Sequence, residues 1–154
     1  MAQFRKLGLG LGIVALAASG ALAATAGQVI EARQKSYKQI GKSFKAISDE
    51  LKKDSPSVPL INANARQIEP LSRRLPSWFP KGTGPETGVK TGAMPAIWAK
   101  PDAFRQAQQN FYGAAHQLTM VSGKGDLNAT KAAVGALGRT CKGCHDDFRA
   151  KDKD

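Results

Sequence analysis

A Cys-x-x-Cys-His run close to the end of this chain constrains the fold more than any other part of the sequence. It comprises Cys141, Cys144 and His145, and the two cysteines are the only ones in 154 residues. Residues three positions apart on a helix share one face, so both thiols can reach one flat group. The spacing predicts covalent attachment of a single haem c through Cys141 and Cys144. His145 is then the predicted axial ligand of the haem iron.

Three other interpretations of this run have less support. A structural zinc site needs four ligands, and His116 is the one other candidate in the sequence. A thioredoxin-like motif belongs near a βαβ pattern, which is missing from the sequence around the run. A disulfide between the two cysteines stays open, although it leaves His145 without a role.

The N-terminus has the pattern of a secretory signal peptide over residues 1–23. Arg5 and Lys6 form a short positive region, residues 7–18 are mainly apolar, and small residues offer cleavage after residue 23 or after residue 26. A membrane anchor is the alternative, but a bilayer span needs about 20 apolar residues, more than this stretch provides. We therefore predict export to a bacterial periplasm and no membrane span in the mature chain.

The formal net charge of +11 limits the classes of partner. Such a basic surface favours acidic proteins or anionic membrane surfaces and speeds their encounter. Nucleic acid is another usual partner of a basic chain, but no recognition motif accompanies the charge, and export separates the chain from the nucleoid. A solvated surface without a specific partner is the simplest interpretation.

Apolar residues at three- and four-residue intervals predict two helices in the first half of the mature chain. The first is expected at 28–53. The second is expected to begin at Ser55, as the N-cap with Pro56 in the first turn, and to end near Arg74. Pro70 should kink or shorten it.

The second half of the mature chain predicts two more helices after a long loop. The loop, at 76–100, is rich in glycine and proline, and long loops in small domains are usually functional or disordered. One helix is expected at 102–121 and the last after an N-cap at Asp126. No convincing strand pattern is present, so residues 24–154 are predicted to form one all-α domain, an antiparallel four-helix bundle with haem c in its core.

Five segments occur in an order and spacing that resemble a known family. They are RQKSY at 33–37, LPSWF at 75–79, GTGPE at 82–86, PAIW at 95–98 and CKGCHDDFR at 141–149. With these segments, the whole mature chain resembles cytochrome c′, the high-spin branch of the class II c-type cytochromes. The resemblance implies a five-coordinate haem iron.

Further site residues are implied by this resemblance. Six-coordinate class II relatives carry an iron-ligating methionine four residues after the position of Arg33, where this chain has Tyr37. Tyr37 is therefore expected to block the distal face of the haem in an apolar pocket, while Arg33 reaches a propionate. Arg149 is expected beside the proximal imidazole. The haem-contacting residues implied in this way are Arg33, Gln34, Tyr37, Phe44, Glu86, Phe111 and Arg149.

A five-coordinate iron behind an apolar gate predicts binding of nitric oxide and carbon monoxide, and the family implies protection against nitric oxide. Periplasmic electron transfer is the alternative, with the basic surface guiding a redox partner protein. No distal His–Arg pair for acid–base chemistry is visible, so we do not expect an enzyme. The resemblance also implies a homodimer formed through the first two helices.

Overall fold

The computed structural model describes residues 24–151, and this part of the chain is helical. The predicted all-α bundle is confirmed, whereas the predicted signal peptide lies outside the described residues. The helices are α1 (Ala26–Glu50), α2 (Val58–Arg74), the single-turn α3 (Ala96–Ala99), α4 (Pro101–Gly123) and α5 (Leu127–Phe148), with 3₁₀ turns at Leu75–Trp78 and Pro85–Thr87.

Side-chain caps fix where two of the long helices begin. Thr25 and Gln28 form a capping box, in which each side chain bonds the other residue's backbone N–H, at 3.3 and 2.8 Å. Asp126 caps α5 as predicted, because its carboxylate accepts a hydrogen bond of 2.9 Å from the N–H of Ala129. These caps satisfy backbone donors that a helix end otherwise leaves unpaired.

The predicted start of α2 at Ser55 is wrong. The N-cap is Ser57, whose hydroxyl accepts from the N–H of Leu60 at 3.4 Å, and Pro59 lies in the first turn. The buried carboxylate of Glu50, at the end of α1, accepts a hydrogen bond of 2.8 Å from the N–H of Ser57. This contact with α1 selects the second serine of the Ser-Pro-Ser sequence as the cap.

Pro70 lies inside α2 without ending it, and the helix reaches Arg74 as predicted. A proline in a helix interior removes a backbone hydrogen bond and costs about 3 kcal/mol. The side chain of Pro70 is exposed to solvent. Ile61, Ala65 and Ile68 of the same helix are fully buried, and their packing outweighs the cost of the proline.

The long helices pack in chain order, with α1 against α2, α2 against α4, and α4 against α5. Short connections between such neighbours make the bundle antiparallel. The core between α2 and α4 includes fully buried Ile68 and Leu118. Helices α1 and α5 are not packed along each other in the same way, so large side chains fill the space between them.

Candidate haem attachment site

The attachment run lies in the last turns of α5. The two thiols are free and half-buried, and Leu137 and Phe148 are buried on either side of the run. Burial raises the pKa of both thiols, that of Cys144 to about 11. A raised pKa favours the neutral thiol form of both cysteines.

His145 is exposed beside the two cysteines. Partial burial of its ring lowers the pKa of His145, the positive charge of Arg149 lowers it further, and Asp146 acts in the opposite direction. A neutral imidazole is the form that ligates a metal. Arg149 also donates its backbone N–H to the carbonyl oxygen of His145 at 3.1 Å. The backbone of Arg149 therefore closes the last turn of α5, and the predicted place of its side chain beside the imidazole stays a prediction.

Two aromatic residues of α1, Phe44 and Tyr37, are partly buried against the core to which α5 also contributes. A Cβ atom placed on Gly138 of α5 would lie 3.5 Å from the ring tip of Phe44, an ordinary contact distance, so the ring of Phe44 packs against α5 at Gly138. Tyr37, two turns earlier on α1, is half-buried. Burial raises the pKa of Tyr37, and the thiols of Cys144 and Cys141 contribute to the rise. Tyr37 and the two cysteines are partly buried against the same hydrophobic core.

Tyr37 is the first member of a row of aromatic rings that contact one another. Its ring contacts Trp78 edge-on, with centroids 5.3 Å apart, and Phe79 at 6.4 Å. Phe79 contacts Phe104 of α4 at 5.0 Å, and Phe104 contacts Phe148 of α5 at the same distance. The row connects α1 to the end of the haem-bearing helix and fixes the position of Tyr37.

Arg33 is buried and holds the long loop. Its guanidinium donates to the hydroxyl and carbonyl oxygens of Thr83 at 2.9 and 2.6 Å and to the hydroxyl of Thr91 at 3.0 Å. It also lies 4.7 Å from the ring centroid of Phe79. Burial lowers the pKa of Arg33, while Tyr37 and Glu86 raise it. The expected propionate contact stays a prediction, and the loop contacts are a role that the sequence did not reveal.

Gln34 and Glu86 also act on this loop. Gln34 donates its side-chain amide to the carbonyl oxygen of Lys90 at 2.9 Å. The carboxylate of Glu86 accepts from the N–H of Gly84 at 2.9 Å. A Cβ atom at Gly84 would lie 2.9 Å from the ring of Trp98, so only glycine fits there. The predicted haem contacts of Gln34 and Glu86 stay predictions.

The loop is joined to the end of α5 as well. The N–H of Met94 donates to the carbonyl oxygen of Phe148 at 3.0 Å, and the N–H of Ala150 donates to that of Gly92 at 2.9 Å. These two bonds form a short antiparallel bridge beside Arg149. The loop predicted at 76–100 therefore connects α1 to the residues that follow the attachment run.

Phe111 of α4 is buried in the same hydrophobic core as the aromatic row. Its predicted contact with haem stays a prediction.

A groove of about 530 Å³ opens between α4 and α5, and it reaches Cys144 between Ala107, Thr140 and Gly143. The half-buried Cys144 is thus accessible from one side.

The residues present fit a haem c group. Two reduced thiols lie one turn apart with a histidine next to them, and aromatic rings separate this part of α5 from α1. Within residues 24–151, no cluster of three or more His, Cys, Asp or Glu side chains could hold a bare metal ion. Cys141 and Cys144 are both free cysteines.

Comparison with known proteins identifies the family. The family model for cytochrome c′ matches residues 28–149. The chain belongs to the cytochrome c′ family. This membership implies c-type haem as the cofactor, in agreement with the donor set described above. The match spans all four long helices and the complete attachment run, so it covers the site as well as the fold.

Individual members of the cytochrome c′ family are similar over most of their length. The cytochrome c′ of Rhodospirillum rubrum is 37% identical over 132 residues, which are 84% of this chain and 87% of that protein. A solved cytochrome c′ with an unusual ligand-controlled dimer dissociation has a TM-score of 0.78 at 28% identity, covering 84% and 99% of the two chains.

Two solved structures come from a third relative, the cytochrome c′ of Alcaligenes xylosoxidans. One is a leucine-to-alanine variant in complex with nitric oxide, with a TM-score of 0.76 and coverage of 84% and 99%. The other is a leucine-to-glycine variant with bound carbon monoxide, with a TM-score of 0.75 and coverage of 83% and 98%. Both are 29% identical to this chain.

Proposed function

We propose that this chain is a periplasmic c-type haem protein whose five-coordinate, high-spin iron binds nitric oxide and carbon monoxide, and that this binding protects against nitric oxide. One haem is held covalently by Cys141 and Cys144, with His145 as the axial ligand. The observation that carries the proposal is Tyr37, a bulky aromatic side chain at the position on α1 where six-coordinate relatives carry an iron-ligating methionine, and its ring is held edge-on against Trp78.

The described residues offer no strong sixth ligand to compete with a gas. Helix α1 contains neither methionine nor histidine. Met120 is exposed near the end of α4, and the Nδ1 atom of His116 lies 3.0 Å from the carboxylate of Glu69. The backbone of Met94 is fixed by its bond to Phe148. These placements favour an open coordination position.

Each part of the site has a role in this proposal. The haem supplies an iron that binds uncharged diatomic gases when reduced. Tyr37 and Phe44 narrow the approach on the α1 side, and their rings exclude bulk water. Arg149 keeps the neutral form of His145 favoured. No His–Arg pair lies near Tyr37 among residues 24–151, and we therefore propose ligand binding without enzymatic turnover.

The comparisons support gas binding as the ligand class. The Alcaligenes xylosoxidans relative carries nitric oxide in one variant and carbon monoxide in another. Both gases are small and uncharged, as an aromatic pocket requires. The periplasmic location rests on the signal-peptide pattern. No helix in the described part of the chain has the length and apolar character of a membrane span.

Absorption and magnetic spectra of the purified haem protein test the coordination state. We expect high-spin spectra for the ferric and ferrous forms, and a large spectral change when carbon monoxide is added. Tyr37→Ala should speed carbon monoxide association by about tenfold, equivalent to about 1.4 kcal/mol of barrier, because it widens the approach. Tyr112→Ala, on the far side of the bundle, is the control. A low-spin native spectrum or unchanged kinetics in Tyr37→Ala would refute the proposal.

Electron transfer to an acidic partner protein is the second candidate. Lys35, Lys38, Lys42 and Lys45 are exposed along the outer side of α1, where a negatively charged partner could approach. Such a function favours a six-coordinate, low-spin iron, which reorganises little between redox states. The spin state therefore separates the two candidates.

We also propose a homodimer, supported by the relative whose dimer dissociates under ligand control. The exposed lysines of α1 oppose a symmetric contact unless they point away from it. Sedimentation at low and high ionic strength measures the assembly. A monomer that persists at high protein concentration and high salt would contradict the dimer.

A further inference from the structure

The long loop caps the end of α5 that carries His145. The last carbonyl groups of a helix have no partner within the helix, and helix ends fray. Here the carbonyl oxygen of Phe148 accepts a hydrogen bond of 3.0 Å from the N–H of Met94. Just beyond the helix, the N–H of Ala150 donates to the carbonyl oxygen of Gly92 at 2.9 Å. The loop thus restrains the turn in which the predicted axial ligand lies.

The same part of the loop is tied to α1 through the side chain of Thr91. Its hydroxyl oxygen accepts a hydrogen bond of 3.0 Å from Nη2 of Arg33, which is buried on α1. The same oxygen accepts a second bond of 3.2 Å from the N–H of Ala93. The first bond joins the loop to α1, and the second fixes the backbone between the two residues that bond the end of α5. Thr91 therefore connects α1 to the part of the loop that caps α5.

The side chain of Arg149 also lies along this part of the loop. A Cβ atom built at Gly92 would lie 3.6 Å from Cγ and 3.9 Å from Nε of Arg149. The backbone N–H of Arg149 donates to the carbonyl oxygen of His145 at 3.1 Å. Through Arg149, the loop is thus one hydrogen bond away from the backbone of the predicted ligand.

We propose that Thr91 is a positioning residue for the proximal histidine. Its hydroxyl holds the loop to Arg33, and the loop then holds the last turn of α5 in the orientation in which His145 ligates the iron. The inference rests on the proposed five-coordinate haem and adds a residue that is remote from the attachment run in sequence. Groups around a metal ligand orient it and tune the metal bond. Without a sixth ligand, the bond between iron and His145 is the axial bond that this orientation affects.

Resonance Raman spectra of the ferrous haem protein test the proposal, because they contain the iron–histidine stretch. Thr91→Val removes the hydroxyl and keeps the size of the side chain. We expect its iron–histidine band to shift and broaden relative to wild type. Amide hydrogen exchange at Ala150 should become faster by about tenfold, the factor expected when a hydrogen bond of ordinary strength is lost. Thr91→Ser keeps the hydroxyl and should restore both wild-type values.

Thr87→Val is the matched control in the same loop. The hydroxyl of Thr87 donates to the carbonyl oxygen of Gly84 at 2.9 Å and accepts from the N–H of Val89 at 3.2 Å, so both bonds stay within the loop. This variant should keep the wild-type iron–histidine band.

Three results would overturn the positioning role while leaving gas binding in place. They are an unchanged iron–histidine band in Thr91→Val, an equal shift in Thr87→Val, and a Thr91→Ser protein that behaves like Thr91→Val. A wild-type ferrous protein without the band of a five-coordinate iron–histidine bond would instead overturn the proposed function, and this inference with it.

Discussion

Polar side chains pair across the contact between α2 and α4, whereas aromatic rings of α1 lie against α5 and the long loop. In the first contact, Asn62 donates to Ser122 at 3.0 Å, and Glu69 lies 3.0 Å from His116. In the second, Phe44 packs against Gly138, and the ring of Tyr37 contacts Trp78 edge-on.

This difference separates stability from function within one bundle. Helices α2 and α4 bury Ile68 and Leu118 completely and leave no room for a cofactor. Helices α1 and α5 depend on large rings and on the long loop to hold their spacing. Close packing between helices disfavours voids, so a space for a flat group has to be maintained by side chains that resist collapse.

The largest expected effect is the loss of covalent haem from Cys141 and Cys144 of α5. Replacing both thiols, Cys141→Ser with Cys144→Ser, should abolish covalent haem completely, because thioether bonds need sulfur. Intact-mass measurement and acid–acetone extraction check this outcome. Each single variant, Cys141→Ser or Cys144→Ser, keeps one thiol and can still form one thioether bond to haem. Haem that remains covalently bound in the double variant would contradict the assignment.

Leu118→Ala tests the contact between α2 and α4. The residue is fully buried, and truncating such a leucine costs about 2–5 kcal/mol through lost burial and a residual cavity. Denaturant unfolding measures the loss, and the haem-to-protein ratio of the same sample should stay at the wild-type value. If Leu118→Ala loses haem in proportion to its loss of stability, haem binding also depends on the packing between α2 and α4, and the two regions do not have separate roles.

The same glycine-to-alanine substitution, made once in α1 and once in α4, compares the effect on the free energy of unfolding in the two regions. Gly41 of α1 and Gly113 of α4 are exposed, and a Cβ atom at either position would meet no neighbour within 4 Å. Each change should raise the free energy of unfolding by about 0.5–1 kcal/mol, because alanine has the higher helix propensity. The double variant should show the sum. A destabilising Gly41→Ala would indicate an undetected contact on the outer face of α1, such as a dimer partner.

Glu69 gives the smallest effect, and it depends on pH. The hydrogen bond with His116 is the main cause that lowers the pKa of Glu69, and Arg73 adds to it. The pKa of Glu69 is lower in the folded protein than in the unfolded chain. The ionised carboxylate therefore stabilises the folded state at pH values above the ordinary glutamate pKa of about 4.3. This stabilisation is lost as the pH falls through the pKa of the folded protein. Exposed pairs of this kind contribute about 0.2–1 kcal/mol.

Unfolding of Glu69→Gln and wild type at a series of pH values measures this contribution. Wild type should be the more stable near neutral pH, and the difference should shrink in acid. A difference that stays constant down to strongly acidic pH would show that the carboxylate charge is not involved.

The sequence predicted the four long helices because each has a clear apolar stripe, and it predicted the Asp126 cap from local chemistry. Cys141, Cys144 and His145 lie near the end of α5, as the helix predicted after Asp126 requires. Contacts between distant parts of the chain were not visible. The resemblance implies a haem contact for Arg33 but not its burial among loop oxygens, and the N-cap of α2 depends on Glu50 from the preceding helix.

The order of the helices along the chain has a kinetic consequence. Since sequence neighbours pack together, most contacts in the bundle close short segments, and such topologies fold rapidly. Arg33 is different, because its hydrogen-bond partners lie 45 to 58 positions further along, and closing a longer segment costs more entropy. In the export that we propose, α1 leaves the cell interior first and the attachment run last. Haem attachment would then act on a chain whose other three long helices are already outside.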